Sequence, residues 1–214
     1  MYAMLGTRPD IAFAIGTLSQ YSANPGQIHL TAVNRLLRYL NSTHDYQLAY
    51  DGLTTENDNS GFSDSDWAGD SHDHRSISGY VFKMAGAAVS WSSKKQPSTA
   101  LSSTEAEYLA LTHSAKEAIW IQSLLDDLGI PFLGAMTLLG DNQGALALAI
   151  NPTFHARTKH IRVRHHFIRE CVATGNIRLR YTPTNDQTAD ILTKGLQLVK
   201  HEKFTKELGL GDLR

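Results

Sequence analysis

Apolar residues recur along the chain with two different periods, which separate helical stretches from strand-forming ones. In residues 8–22 and 28–41 they return every three or four positions, the spacing of one helical face. From about residue 46 they stand in short β-prone runs instead. These runs predict strands at residues 46–50, 62–67, 79–84 and 87–91, the last two forming a hairpin that closes near Ala85 and Gly86.

The second half of the chain alternates helices with single strands. A long helix is predicted from about 103 to 128, where Gly129 ends it, and further helices are predicted over 142–150 and 160–174. Strands are predicted at 136–139 and 177–181, and a last helical region begins near 184. Because strands and helices do not alternate strictly, this order predicts an α/β fold with a mixed sheet and helices packed on it.

Composition excludes several classes of protein. The 214 residues are enough to bury a sizeable core, and the single cysteine, Cys171, excludes a disulfide framework. No Cys/His spacing is typical of a zinc site. No apolar run approaches the ~18–20 residues of a membrane span, and neither a basic amino-terminal region nor a long apolar run follows Met1. We therefore expect a protein of a reducing compartment, without a membrane partner.

The net charge of −1 conceals an uneven distribution of acids and bases. Residues 41–75 hold eight acids against one base, Arg75, whereas residues 151–214 hold twelve bases against six acids. This pattern suits a protein that holds metal cations and binds a polyanion. The alternative, that both clusters are solvated surfaces, is the more common case, and charge alone favours it.

Two carboxylates stand at the ends of buried elements. Asp141 ends the apolar run of residues 136–140 just before a helix, where α/β folds place functional groups; helix capping is the alternative. Glu107 begins a mostly apolar helix face that continues through Leu111, Ser114 and Ala118. A carboxylate on such a face is costly unless it is paired or bound to a metal, and the alternative is a first-turn acid that stabilises the helix dipole.

Two further positions carry acids with partly apolar neighbours. Asp64 and Asp66 alternate within one predicted strand, so both side chains point to one side, unless they form a solvated pair on an edge strand. Asp190 lies in the last helical region among Ala189, Ile191 and Leu192. Acids at the ends of four separate elements suggest a site for two Mg²⁺ ions, which ~3.5–4 Å apart activate a water and stabilise a leaving oxygen of a phosphodiester.

Eight short motifs are spread along nearly the whole chain: FSDSDWAGD at 62–70, RSISGY at 75–80, WSSKKQ at 91–96, SSTEAEYL at 102–109, GDNQ at 140–143, KHI at 159–161, HFIRE at 166–170 and TADILTK at 188–194. With these motifs the chain resembles the ribonuclease H domain of copia-type retrotransposon polyproteins. The resemblance implies a ribonuclease H-like fold with a mixed five-stranded sheet over residues 44–214. Residues 1–43 resemble the helical segment that connects the reverse transcriptase to this domain.

The family also implies the catalytic and metal-binding acids. By resemblance they are Asp64, in preference to Asp66, with Glu107, Asp141 and Asp190. By the same resemblance, Asp64 would bridge the two ions, Glu107 and Asp141 would complete the shell of one, and Asp190 would complete the shell of the other. The implied activity is hydrolysis of the RNA strand of RNA–DNA hybrids, with Mg²⁺ that Mn²⁺ can replace. The order of the acids disfavours a related integrase, and a catalytically inactive nucleic-acid-binding or assembly module is the second reading.

Substrate contacts are expected from polar residues near the acids and from basic residues. The residues expected to contact the substrate are Ser102, Ser103, Thr104, Asn142, Gln143, Lys94, Lys95, Lys159, Arg162 and Arg164. Simple helix capping is the alternative for the residues before the long helix.

The family's loop histidine is absent between 182 and 188. The reverse transcriptase of the same polyprotein is an expected partner, and the cytoplasm, a virus-like particle or the nucleus is the expected location.

Overall fold

The computed structural model describes residues 1–50, 59–69, 73–130, 134–150 and 162–212. Its helices and strands follow each other in the order α1 Tyr2–Gly6, α2 Ala12–Ser19, α3 Gln27–Ser42, β1 Gln47–Leu48, β2 Ser60–Ser65, β3 Ile77–Met84, β4 Ala87–Lys95, α4 Ser103–Asp127, β5 Met136–Gly140, α5 Gln143–Ile150, α6 Arg162–Ala173, β6 Ile177–Tyr181, α7 Leu198–Glu207 and β7 Leu210–Gly211. Short 3₁₀ helices stand at Pro9–Ile11, Thr184–Asp186 and Thr188–Leu192.

Five strands form a mixed sheet in the order β4-β3-β2-β5-β6. The β2–β3 and β3–β4 pairs are antiparallel, whereas β2–β5 and β5–β6 are parallel. The β3–β4 hairpin closes through Ala85 and Gly86, both at positive φ, as a two-residue hairpin turn requires. The predicted α/β class with a mixed five-stranded sheet is confirmed.

Both faces of the sheet are covered by apolar residues. Neighbouring residues of one strand point to opposite faces, so Phe82 and Leu138 enter one core while Val81 and Leu139 enter the other. The first core lies under α4, α5 and α6, and the second lies under α7 and the 3₁₀ helix Thr188–Leu192. The central strand β2 is buried along its whole length, so a charged side chain on it must find a partner.

Residues 1–43 pack on the second core, and their first helix differs from the prediction. In place of one helix over 8–22, a 3₁₀ turn at Pro9–Ile11 precedes α2, because the buried Arg8 guanidinium pairs with Asp10 and also binds Thr43. Ile11 and Ala12 are each only 1% exposed. The division at residue 43 stays a prediction, but the apolar contacts across it make the segment a stabilising part of the described fold.

The carboxyl-terminal region also departs from the predicted single helix. Thr184–Asp186 and Thr188–Leu192 are 3₁₀ helices, and the α-helix α7 begins only at Leu198. After it, β7 pairs antiparallel with β1, a two-stranded sheet that the sequence did not predict. Within the described residues, no helix combines the length and the hydropathy needed to cross a membrane.

Candidate metal-binding site

Three carboxylates from three different elements meet where the parallel strands β2 and β5 end. Asp64 of β2, Glu107 of α4 and Asp141 after β5 each place an oxygen atom within 4.8 Å of the other two. Asp64 and Glu107 are buried and Asp141 is half-buried. Like charges at this separation repel each other in a desolvated place, so the arrangement requires a proton or a cation between them.

The backbone around Asp64 is packed closely enough to fix its position. Asp64 pairs across the sheet with Gly79 of β3. A Cβ atom at residue 79 would approach the side chain of Thr193 to 2.7 Å and that of Leu192 to 2.9 Å. The missing side chain of Gly79 therefore allows the 188–193 segment to lie against the sheet beside Asp64, where the Thr193 hydroxyl donates to the Asp64 carboxylate.

Glu107 and Asp141 are positioned from the other side of Asp64. Glu107 lies in the second turn of α4, on the buried face that continues through Leu111 and Ser114. The Ser65 backbone hydrogen-bonds its carboxylate. Asp141 follows the last residue of β5, and the hydroxyl of Thr184 donates to its Oδ2 at 2.8 Å. The expected arrangement of acids at the ends of separate elements is therefore present for these three.

Asp190 lies beside this group rather than within it. Its carboxylate is buried and forms ion pairs with Lys194 at 2.9 Å and with Lys200 at 2.6 Å. The ammonium of Lys194 also lies 3.2 Å from Asp64, so it joins the two carboxylates. Burial alone would lower the pKa of Lys194, but the negative charges of Asp64 and Asp190 outweigh it and raise the pKa.

Burial dominates the titration of the two inner acids. Burial, together with the negative charges of Asp64 and Asp141, raises the pKa of Glu107 to about 9, against the lowering effects of Lys194 and the Ser65 backbone. Burial also raises the pKa of Asp64, to about 6, against the opposing effect of Lys194. At neutral pH Glu107 therefore keeps a proton unless a cation replaces it, whereas Asp64 is mostly ionised and has Lys194 as its charged partner.

The metal-free protein is expected to lose stability as the pH rises from about 5 to about 9. The folded state keeps a proton on Glu107 up to about pH 9, whereas the unfolded chain releases it near 4.5. In this window the folded state binds more protons, so the free energy of unfolding falls with rising pH. Melting temperatures in the presence of a chelator measure this effect. Glu107→Gln should show a flatter curve, and parallel curves for the two proteins would contradict the assignment.

The donor set fits a hard divalent cation. Mg²⁺ and Mn²⁺ prefer oxygen ligands, and carboxylates together with water and substrate oxygens suffice for Mg²⁺. Asp64, Glu107 and Asp141 supply three such groups within reach of a single ion. A cation there would offset the repulsion that raises the pKa of Asp64 and Glu107.

Several other predicted residues have structural partners. Asp66 lies after the end of β2, where its carboxylate accepts from the Ile77 backbone, so it supports the β2–β3 connection. Asn142 Oδ1 accepts from Ala145 N at 2.9 Å and caps α5, while Ser102 Oγ accepts from Glu105 N at 3.1 Å and caps α4. Capping therefore accounts for one role of each, and substrate contact stays a prediction for both.

The remaining predicted contacts lie mostly on the surface. Ser103 and Gln143 are exposed and Thr104 is half-buried. Lys94 is exposed at the end of β4, and its neighbour Lys95 pairs with Asp73 at 3.0 Å. Lys159 and the side chains of Arg162 and Arg164 lie outside the described residues.

Four residues that were not among the predicted site residues complete the surroundings of the acids. Lys194 and Lys200 bind Asp190, Thr193 binds Asp64, and the amide of Gln187 donates to Ser63 O at 3.0 Å. Gln187 thereby ties the start of the Asp190 segment to β2. The spacing of four residues between Asp190 and Lys194 is the one signal in the sequence that pointed to a pair.

Relatives of the chain include polyproteins of plant transposons. The "Retrovirus-related Pol polyprotein from transposon RE2" of Arabidopsis thaliana is 42% identical over 208 residues, which are 95% of this chain and 14% of that protein. The corresponding polyprotein from transposon TNT 1-94 of Nicotiana tabacum is 42% identical over 210 residues, or 98% of this chain and 16% of that protein. The chain thus spans about one-seventh of the length of these relatives.

Two further similarities concern a short relative and a solved structure. The secreted RxLR effector protein 161 of Plasmopara viticola is 51% identical over 121 residues, which are 56% of this chain and 84% of that protein. The structure of LC11-RNase H1 in complex with RNA/DNA hybrid has a TM-score of 0.47 and 13% identity, and the match covers 62% of this chain and 91% of that one. No protein-family model matches the chain.

Proposed function

Because the chain belongs to the family of retrovirus-related Pol polyproteins of transposons, we propose that it is a divalent-metal-dependent ribonuclease H. Its substrate is the RNA strand of an RNA–DNA hybrid. The observation that carries the proposal is the meeting of Asp64, Glu107 and Asp141 at one sheet edge, with Glu107 and Asp64 almost fully removed from water. A mixed sheet of the ribonuclease H-like class supports it.

The three carboxylates would hold Mg²⁺ or Mn²⁺ during the reaction. Such an ion supplies Lewis acidity, which favours attack by water and stabilises negative charge on the departing oxygen. The family's reaction uses two ions, and we propose two ions for this chain as well. The second position would lie between Asp64 and Asp190, the two acids that Lys194 joins.

The protein's own side chains orient the site. The Thr184 hydroxyl holds Asp141 in place, and the Thr193 hydroxyl holds Asp64, so both carboxylates have fixed directions. Glu107 turns toward them from a helix whose first residues, Ser103 and Thr104, lie at the surface. Polar groups at this end of α4 are suited to contact the 2′-hydroxyls that distinguish RNA from DNA.

The nucleic acid would be bound through its phosphates as well as through the site. Lys94 is an exposed cation at the end of β4, and Lys95 stands beside it. Together with the basic residues of 157–164 we propose them as phosphate contacts, which give affinity without sequence preference. The reverse transcriptase of a longer polyprotein is proposed as a further partner.

One observation favours the second reading, a catalytically inactive nucleic-acid-binding module. Both oxygens of Asp190 already have an ammonium partner, Lys194 on Oδ1 and Lys200 on Oδ2. A site permanently neutralised in this way would keep its fold and its affinity for polyanions without binding a second ion. Measuring cleavage and binding in parallel distinguishes the two readings.

The proposed activity is tested by incubating the protein with an end-labelled RNA–DNA hybrid and Mg²⁺. We expect the RNA strand to be cut into products with 5′-phosphate and 3′-hydroxyl ends, while RNA–RNA and DNA–DNA duplexes stay intact. Glu107→Gln is the control, because it keeps the shape of the side chain and removes one carboxylate from the group. A hybrid that is bound but remains uncut with Mg²⁺ and with Mn²⁺ would overturn the proposal in favour of the inactive module.

A further inference from the structure

We propose that the Lys194 ammonium is a built-in counter-cation between Asp64 and Asp190, which must leave before a second divalent ion can bind there. The inference rests on the proposed function, because it concerns the same carboxylates. It assigns two unequal ion positions to this chain: a first one at Asp64, Glu107 and Asp141, and a second one whose occupancy Lys194 controls.

The contacts of Lys194 are those of a bridging cation. Its Nζ atom lies 2.9 Å from Asp190 Oδ1 and 3.2 Å from both Oδ1 and Oδ2 of Asp64. The side chains of Asp64 and Asp190 are 0% and 1% exposed, so water contributes little to solvating their charge. A single positive charge within hydrogen-bonding distance of both therefore offsets the repulsion between the two carboxylates, and water and salt screen it less than they screen a surface ion pair.

The backbone holds Lys194 at this place while its side chain stays able to move. Lys194 follows Asp190 by one helical turn, and its backbone N–H donates to Asp190 O at 3.0 Å. Thr193, the preceding residue, is fully buried and binds Asp64. The Lys194 side chain is nevertheless 36% exposed, so it has a route into water that the two carboxylates lack.

The contacts of Asp190 explain why the two ion positions should differ. Lys194 contacts Oδ1 and Lys200 contacts Oδ2, so a divalent cation at either oxygen of Asp190 would compete with an ammonium already placed there. At the first position, in contrast, Asp64, Glu107 and Asp141 each supply a carboxylate oxygen. The first ion gains the attraction of three carboxylates. The second gains only the difference between its own attraction to the carboxylates and the attraction of the lysine that it displaces.

Counting bound Mn²⁺ by electron paramagnetic resonance of the free ion tests this without any substrate. The wild type is expected to bind one ion tightly and a second at least about tenfold more weakly. Lys194→Gln should tighten the second ion by about tenfold and leave the first within about threefold. Lys194→Arg keeps the charge and should keep the weak second ion. Lys203→Gln is the matched control, since Lys203 pairs with Asp186 and Glu207 instead.

The outcomes separate the inference from the proposed function. Equal affinities for the two ions in the wild type would overturn the role of Lys194. So would a second ion that binds Lys194→Gln with the same affinity as it binds the wild type. A tighter second ion in Lys203→Gln as well would also overturn it, because general charge would then explain the effect. Ion binding as expected without hybrid cleavage would overturn the proposed function and leave the role of Lys194 intact. A melting curve of each variant confirms that the protein counted is folded.

Discussion

Replacing Asp64 by Asn is expected to lower the rate of hybrid cleavage by at least about 100-fold and to leave the metal-free protein at least as stable as the wild type. Most point substitutions cost stability instead, by roughly 1 kcal/mol. Asp64 is completely buried, and burial raises its pKa to about 6 despite Lys194. At pH 8 the carboxylate is ionised in both states, but its charge costs more in the folded state than in the unfolded chain. The neutral amide removes that cost while keeping the shape of the side chain.

The same variant is expected to respond less to Mg²⁺. An ion at about 100 times its dissociation constant stabilises the folded state by about 2.7 kcal/mol, and each kcal/mol raises the melting temperature of a chain this size by about 2–4 °C. Melting curves with and without millimolar Mg²⁺ measure the difference. Asp66→Asn is the control, because Asp66 binds the Ile77 backbone and should leave the response to Mg²⁺ unchanged. Equal responses of wild type and Asp64→Asn would remove Asp64 from the set of ligands.

The second large effect concerns the amino-terminal segment. Ile11→Ala is expected to lower the free energy of unfolding by about 2–5 kcal/mol, because the side chain is 1% exposed and its loss opens a cavity. Deleting residues 1–43 should cost more, since it also removes Ala12 from the second core and Met4, whose carbonyl accepts from the Trp91 indole at 2.7 Å. Chemical denaturation of the full chain, its variants and the truncated chain measures these differences.

A matched substitution in the same segment tests whether the effect is local packing. Ile28 of α3 is 76% exposed, so Ile28→Ala should change stability by no more than about 0.5 kcal/mol. The truncated chain keeps the five-stranded sheet and all four acids, so the fraction that folds is expected to cut the hybrid. A truncated chain as stable as the full one would show that residues 1–43 contact the domain without stabilising it.

Most of the sheet was predictable because its strands carry their own signals. The apolar run of β5 and the turn residues Ala85 and Gly86 specify strands and a hairpin locally, and β6 runs from Ile177 to Tyr181 as predicted. The β1–β7 pair was not predictable, because each strand has two residues and their partners lie more than 160 positions apart. The 3₁₀ turn at Pro9–Ile11 likewise depends on a tertiary contact, the burial of Arg8 beside Asp10 and Thr43.

The candidate site was partly predictable for a similar reason. Glu107 stands out because an acid on an apolar helix face needs a partner, and Asp141 stands out because it ends a buried strand. The distinction between Asp64 and Asp66 needed the family resemblance, since two alternating acids look alike until the end of the strand is known. Lys194 carried a weaker signal, because a lysine four residues from an acid is usually a solvated surface pair.

Gly79 makes the site sensitive to a substitution that leaves all four acids in place. A side chain at residue 79 would force Thr193 and Leu192 off the sheet and displace both the Thr193 hydroxyl and the Lys194 ammonium from Asp64. The four acids alone therefore do not define the site in this fold. The small residue opposite Asp64 on β3 is as much a requirement of the site as Asp64 itself.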